Sequence, residues 1–139
     1  MSSRRKLITS AVAAAVAVPG LTVFRSRAAA LARGEVPAVL VEPKEESVET
    51  RSSGQAIRDF RLSIAVFIRS DTPDDDLDPF LVAIHAALCA DMTLGGLCAR
   101  IIEESTEWTM DEADLTAMEA SLVYRIRYST PWNALDTAP

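Results

Sequence analysis

The sequence predicts a fold that mixes helices with strands, α/β or α+β, and three stretches carry that prediction. Phe60, Leu62, Ile64, Val66 and Ile68 alternate with Asp59, Arg61, Ser63, Ala65 and Phe67, the two-residue period of a strand with one wholly apolar face. Ala120, Leu122, Tyr124, Ile126 and Tyr128 stand against Ser121, Arg125 and Arg127 in the same way. Between these strands, Phe80, Leu81, Ile84, Ala87 and Leu88 recur at helical spacing.

The remaining elements follow in order. A first helix opens at Ser3, with Leu7, Ala11, Ala14, Ala15 and Val18 as its apolar stripe and Ile8 and Val12 alongside; Pro19-Gly20 ends it. Leu21 to Arg27 reads as a short strand, 28–34 as a turn or single helical loop, and Pro37 to Glu42 as a second short strand. Residues 43–54 are charged, end in Ser-Ser-Gly and offer only Val48 to a core, which predicts an exposed loop or hairpin arm that adds little to the fold. Ile57 to Arg69 is the central strand, terminated by Asp71-Thr72-Pro73. Asp78 then suits the cap and Pro79 the first position of the second helix. After Gly95-Gly96 a strand-like run, Leu97 to Met110, turns at Asp111-Glu112-Ala113-Asp114, so that 97–128 form a long antiparallel hairpin; 132–139 are a tail.

At 139 residues the chain is one domain, with a hydrophobic fraction of 49%. Its net charge of −6 conceals a segregation: residues 1–34 contain six bases and no acid, residues 71–120 thirteen acids and one base. Such blocks either attract one another within the fold or meet between neighbouring copies. Pro19-Gly20 interrupts the best apolar run, so no stretch reaches the roughly 18–20 residues of a membrane helix. Cys89 and Cys98 are expected to be reduced thiols in the core.

Chemistry-bearing patterns are sparse. The run Asp74-Asp75-Asp76-Leu77-Asp78 lacks the spacing of a calcium loop and precedes a helix, where carboxylates complement the positive end of the dipole. His85 is the sole histidine and is expected to be a packed or surface side chain. With no nucleophile elbow, phosphate loop or paired metal-ligand motif, the chain is not expected to be an enzyme or to hold a cofactor or metal. A nucleic-acid module would need a basic stripe with aromatic partners, and residues 1–34 supply only Phe24.

The N-terminus admits two readings. Arg4-Arg5-Lys6 before an Ala/Val run, with Ala28-Ala29-Ala30-Leu31-Ala32 beyond, imitates a twin-arginine export signal over residues 1–32. The first helix described above is the reading preferred here, with an exported binding protein as the alternative.

An ordered set of segments resembles a known family. Ala90-Asp91-Met92-Thr93-Leu94-Gly95-Gly96-Leu97, the pair Glu107-Trp108 and the closing Tyr124-Arg125-Ile126-Arg127-Tyr128-Ser129-Thr130-Pro131 look like the C-terminal half of tail-terminator (tail-completion, minor tail protein U-like) proteins of long-tailed bacteriophages. Val23-Phe24-Arg25-Ser26-Arg27, Leu31 to Ala38 and Glu45-Glu46-Ser47-Val48-Glu49 fall in the family's order upstream. The resemblance implies an α+β fold, a mixed but mainly antiparallel sheet flanked by two helices with an extended β-hairpin arm. It further implies a ring-forming subunit: a homohexamer on the last ring of the tail tube that ends tube polymerisation and offers a surface to the head-side connector or stopper. The implied partners are further copies of the chain, the major tail tube protein and that connector. The implied location is the head-proximal end of the virion's tail, after assembly in the host cytoplasm; no membrane is involved.

A closed ring needs two different, complementary patches on each copy. Arg25, Arg27 and Arg33 are expected on one side of the subunit contact, with Glu103, Glu104 and Glu107 on the other. DNA would pass through the channel without specific binding, past either Asp111, Glu112 and Asp114 or Asp74, Asp75 and Asp76.

Overall fold

The computed structural model describes residues 2–25, 36–111, 113–114 and 116–138. Its elements are α1 (Arg4–Ala15), β1 (Thr22–Arg25), β2 (Ala38–Thr50), β3 (Gln55–Arg69), α2 (Pro73–Cys89), β4 (Arg100–Met110) and β5 (Ala117–Pro131). The strands form one sheet in the order β1-β2-β3-β5-β4. Among the described residues only the β1–β2 pair is parallel. The fold is therefore α+β, with a mixed, mainly antiparallel sheet and two helices, as expected.

Both helices lie on one face of the sheet. Phe60, Leu62, Ile64 and Val66 of β3 and Leu122, Tyr124 and Ile126 of β5 point at them and join Ile8, Val12, Val16, Leu77, Ile84 and Leu88 in one core. The alternation in β3 and β5 translates directly into this arrangement: fully paired over Gln55↔Pro131 to Arg69↔Ala117, the two strands keep one apolar face throughout. The 97–128 hairpin is the β4–β5 pair, although regular strand begins at Arg100 and Leu97 remains in the preceding loop.

Three expectations are corrected. In α1 the buried stripe is Ile8, Val12 and Val16, whereas Leu7 is 41% exposed and Ala14 lies at the surface. The larger β-branched side chains bury more apolar area than the alanines and rotate the helix accordingly. Helix α2 begins at Pro73, not after Asp78; Pro79 lies inside it. Burial of Leu77 in the core rewards the earlier start and outweighs the one i→i−4 bond that Pro79 forfeits in the second turn. Cys98 is buried, and desolvation pushes its thiol up to about 11, but Cys89 is exposed on the last turn of α2.

Residues 43–54 are the outer half of β2 and the turn into β3. The strand runs to Thr50 because a bulge between Pro43 and Glu45 switches its parity and turns Glu46 and Val48 toward the helix side. Gly54, at φ +86°, closes the turn in a left-handed conformation that a side chain would strain. Glu46 departs from the expectation that this arm adds little to the fold. Its carboxylate accepts from Arg5 Nη1 at 2.6 Å and Arg58 Nη1 at 3.1 Å, and Tyr128 donates to its other oxygen. The network ties α1, the arm and β5 together.

Candidate assembly surfaces

Register sorts the charged residues onto two ends and two edges of the sheet. At one end β3 finishes at Arg69, opposite Ala117 where β5 begins. Ser70 donates its backbone N–H to Thr116 O at 2.8 Å, so the start of α2 and the β4–β5 turn lie side by side. The two acidic clusters singled out in the sequence, Asp74–Asp76 and Asp111–Asp114, thus fall at the same end of the subunit. Glu112 lies outside the described residues.

These acids are not equivalent. Asp114 pairs with Arg69 and accepts from Thr116 N and Oγ1. Asp76 accepts from Ser70 Oγ and from Thr72 Oγ1, which locks the junction into α2. Asp111 caps its own turn by accepting from Ala113 N at 2.9 Å. Asp74 and Asp75 are exposed in the first turn of α2, where the helix dipole favours carboxylates. Among the described residues no cluster of His, Cys, Asp and Glu could hold a metal ion.

The opposite end gathers several bases, some of them paired with acids. Arg4 N–H donates to Leu135 O at 2.8 Å, which brings the N-terminus of α1, with Arg5 and Lys6, beside the chain's last described residues. Arg100 and Arg127 face each other across the β4–β5 ladder at that end. Arg127 holds Asp59 in a two-pronged pair, 2.9 Å on each prong, and this hydrogen-bonded cation keeps the Asp59 carboxyl below its usual range.

The edge strands are β1 and β4. Arg25 ends β1, where its Nη1 donates to Ser10 Oγ of α1 at 2.7 Å and remains exposed. Arg27 and Arg33 lie outside the described residues. At the other edge, Glu103, Glu104 and Glu107 do not form a single row. A bulge between Glu103 and Ser105 divides them. Glu103 turns toward the helices and meets His85 Nδ1 at 3.0 Å, while Glu104 turns to the far face and pairs with Arg61 at 2.9 Å. Glu107 is also on the far face, where with burial and Glu42 it raises the carboxyl of Glu119 above its usual range. Arg25 and the β4 acids therefore stand on opposite edges of one subunit.

Sequence reasoning missed the groove between α2 and β4, an open space of about 390 Å³ lined by Leu81, Val82, His85, Thr106, Trp108 and Tyr124 among others. His85 is one of the lining residues, with Nδ1 2.8 Å from Tyr124 Oη and Nε2 3.6 Å from Cys89 Sγ. Trp108 is 56% exposed and Val82 63%. Parity carried the available signal: Thr106, Trp108 and Met110 share a strand face that two helices are too few to cover.

The family model described as phage minor tail protein U matches residues 2–128. A chain in the solved structure described as "Virion of native gene transfer agent (GTA) particle" is 17% identical, with 90% of this chain and 90% of that chain covered and a TM-score of 0.38. No curated protein matches.

Proposed function

Because this chain belongs to the phage minor tail protein U family and is thus a structural component of a phage tail, we infer that it closes the tail tube as a homohexameric ring. In this reading the ring sits on the last ring of the major tail tube protein, stops further addition, and presents its other side to the head-tail connector or stopper. The observation that carries the reading is the opposition of the two sheet edges. A closed ring requires a heterologous contact, one patch meeting a different patch on the next copy. The chain has a basic edge built from α1 and β1, and at the opposite edge β4 carries Glu103, Glu104 and Glu107. Opposite charges on opposite edges favour head-to-tail addition and oppose pairing of like edges. The acids gathered at one end of the strands, where Arg69 is already paired with Asp114, fit a channel wall or rim that lets DNA pass without holding it, since an acidic surface gains nothing from counterion release at phosphates.

Electron microscopy and native mass measurement of the purified protein test the reading. Closed rings of six copies are expected, and tubes assembled without the protein are expected to grow past their normal length until it is added. A monomer at every concentration, or open filaments, overturns it.

A further inference from the structure

Among the described residues two helices cover five strands, and the part left bare is the helix side of β4. Helix α1 packs over β1 and β2, and α2 over β3 and β5. Beyond α2, Thr106, Trp108 and Met110 extend from β4 with no helix above them. An exposed tryptophan beside an exposed valine at a groove is the kind of apolar surface that marks an association site, and tryptophan is the residue most enriched where binding energy concentrates. The groove's margin is acidic: Glu103 borders it on β4, and Asp78 lies one turn before Val82 on α2.

At the opposite edge α1 presents the complementary surface. Its core stripe is Ile8, Val12 and Val16, which leaves Lys6, Leu7, Ser10 and Ala14 facing outward. This face is apolar at Leu7 and carries small side chains at Ser10 and Ala14. Lys6 and Arg25 flank it, and the helix contains no acid. We propose that the groove between α2 and β4 receives the outward face of α1 from a second copy of this chain. The inference rests on the ring reading and names the contact that would build the ring.

Three features favour a second copy over another occupant. Helix α1 packs over β1 and β2 and α2 over β3 and β5, so a neighbour's α1 laid on β4 continues the helix layer across the last strand. Acidic margin meets basic flank, as charge complementarity requires. Because groove and helix sit at opposite edges, each copy uses both surfaces once and the contact repeats around a ring.

The test uses Leu7→Cys and Val82→Cys, each in a Cys89→Ser background; all three positions are exposed, and melting curves check that the variants fold. Under mild oxidation neither variant alone is expected to form a covalent dimer, whereas their mixture does, and the double variant gives a ladder of linked copies. Raising salt lowers the yield. A covalent dimer from either single variant alone overturns the proposal, since the groove or the helix then meets its own kind. Rings that form without the Leu7–Val82 link also overturn it and leave the ring reading standing. If no rings form under any condition, both fail together.

Discussion

Glu46 and Arg58 meet at 3.1 Å with both side chains 9% exposed, an almost buried ion pair in a segment whose composition reads as a charged surface arm. Removing one partner of such a pair leaves the other desolvated and uncompensated, which costs about 3 kcal/mol. Glu46→Ala is therefore expected to lower the unfolding free energy by about that amount and to shift the denaturant midpoint down accordingly. Glu45→Ala, one residue away, removes an exposed partner of Arg61 and is expected to leave the midpoint unchanged. Equal behaviour of the two variants would show that the network adds nothing to stability.

Glu119 makes the opposite prediction about charge. Burial first, and then the neighbouring Glu42 and Glu107, raise its carboxyl above the usual value of 4.5. A raised folded-state value means that the folded protein holds this proton more tightly than the unfolded chain. The contribution is stabilising below pH about 4.5 and is lost as pH rises through the folded value. Glu119→Gln is thus expected to raise the melting temperature at pH 7, with the advantage shrinking as the pH falls toward 4 and the wild-type side chain becomes neutral. Asp59, lowered by its pair with Arg127, runs the other way: its contribution is present at neutral pH and disappears in acid. Asp59→Asn is expected to destabilise at pH 7 and to converge on the wild type at low pH.

How much of this was legible beforehand depends on what each residue had to reveal. The strands β3 and β5 were readable because neither contains a bulge in its pairing with the other, so parity holds from end to end. The second half of β2 was not, because the irregularity at Lys44 exchanges inward and outward positions and then places Glu46 inward; alternation counts apolar side chains and misses a carboxylate that is buried by pairing. The bulge after Glu103 likewise moves Glu107 off the face that strict alternation would have it share with Glu103. The start of α2 was misplaced because Pro79 after Asp78 is a good local start signal; only the tertiary burial of Leu77 overrides it. The charge blocks were visible as numbers along the chain. That they become two edges and two ends follows from the strand order β1-β2-β3-β5-β4, which no local pattern encodes.

Arg25 provides a test of the edge contact that does not depend on the groove. It is exposed, its guanidinium leans on Ser10 of α1, and it helps to make that edge basic. Pairs of this kind are worth about 0–1 kcal/mol each and are screened by salt. Arg25→Glu is expected to leave the melting temperature nearly unchanged and to raise the protein concentration needed for assembly at low salt. The difference from wild type should fade near molar salt, where the Debye length falls to about 3 Å. Assembly of Arg25→Glu indistinguishable from wild type at low salt would remove Arg25 from the contact.

The channel prediction gains precision from the inequality of the acids. Asp76 and Asp114 are tied into the fold by Ser70, Thr72, Thr116 and Arg69, so reversing their charge would confound electrostatics with local unfolding. Asp74 and Asp75 are exposed and lie beside the β4–β5 turn, which makes them clean probes of what that end of the subunit does. If this end borders the DNA path, Asp74→Lys with Asp75→Lys replaces two repulsive charges per copy by two that bind phosphate. The symmetry of a ring multiplies the change, and each phosphate contact adds about one unit to the slope of log affinity against log salt. Isolated assemblies of the double variant are expected to retain duplex DNA at low salt and to release it as salt rises, with a melting temperature close to that of the wild type. Failure to retain DNA at low salt, in assemblies that are otherwise intact, would place these acids on the outer surface of the ring and leave them only a solubilising role.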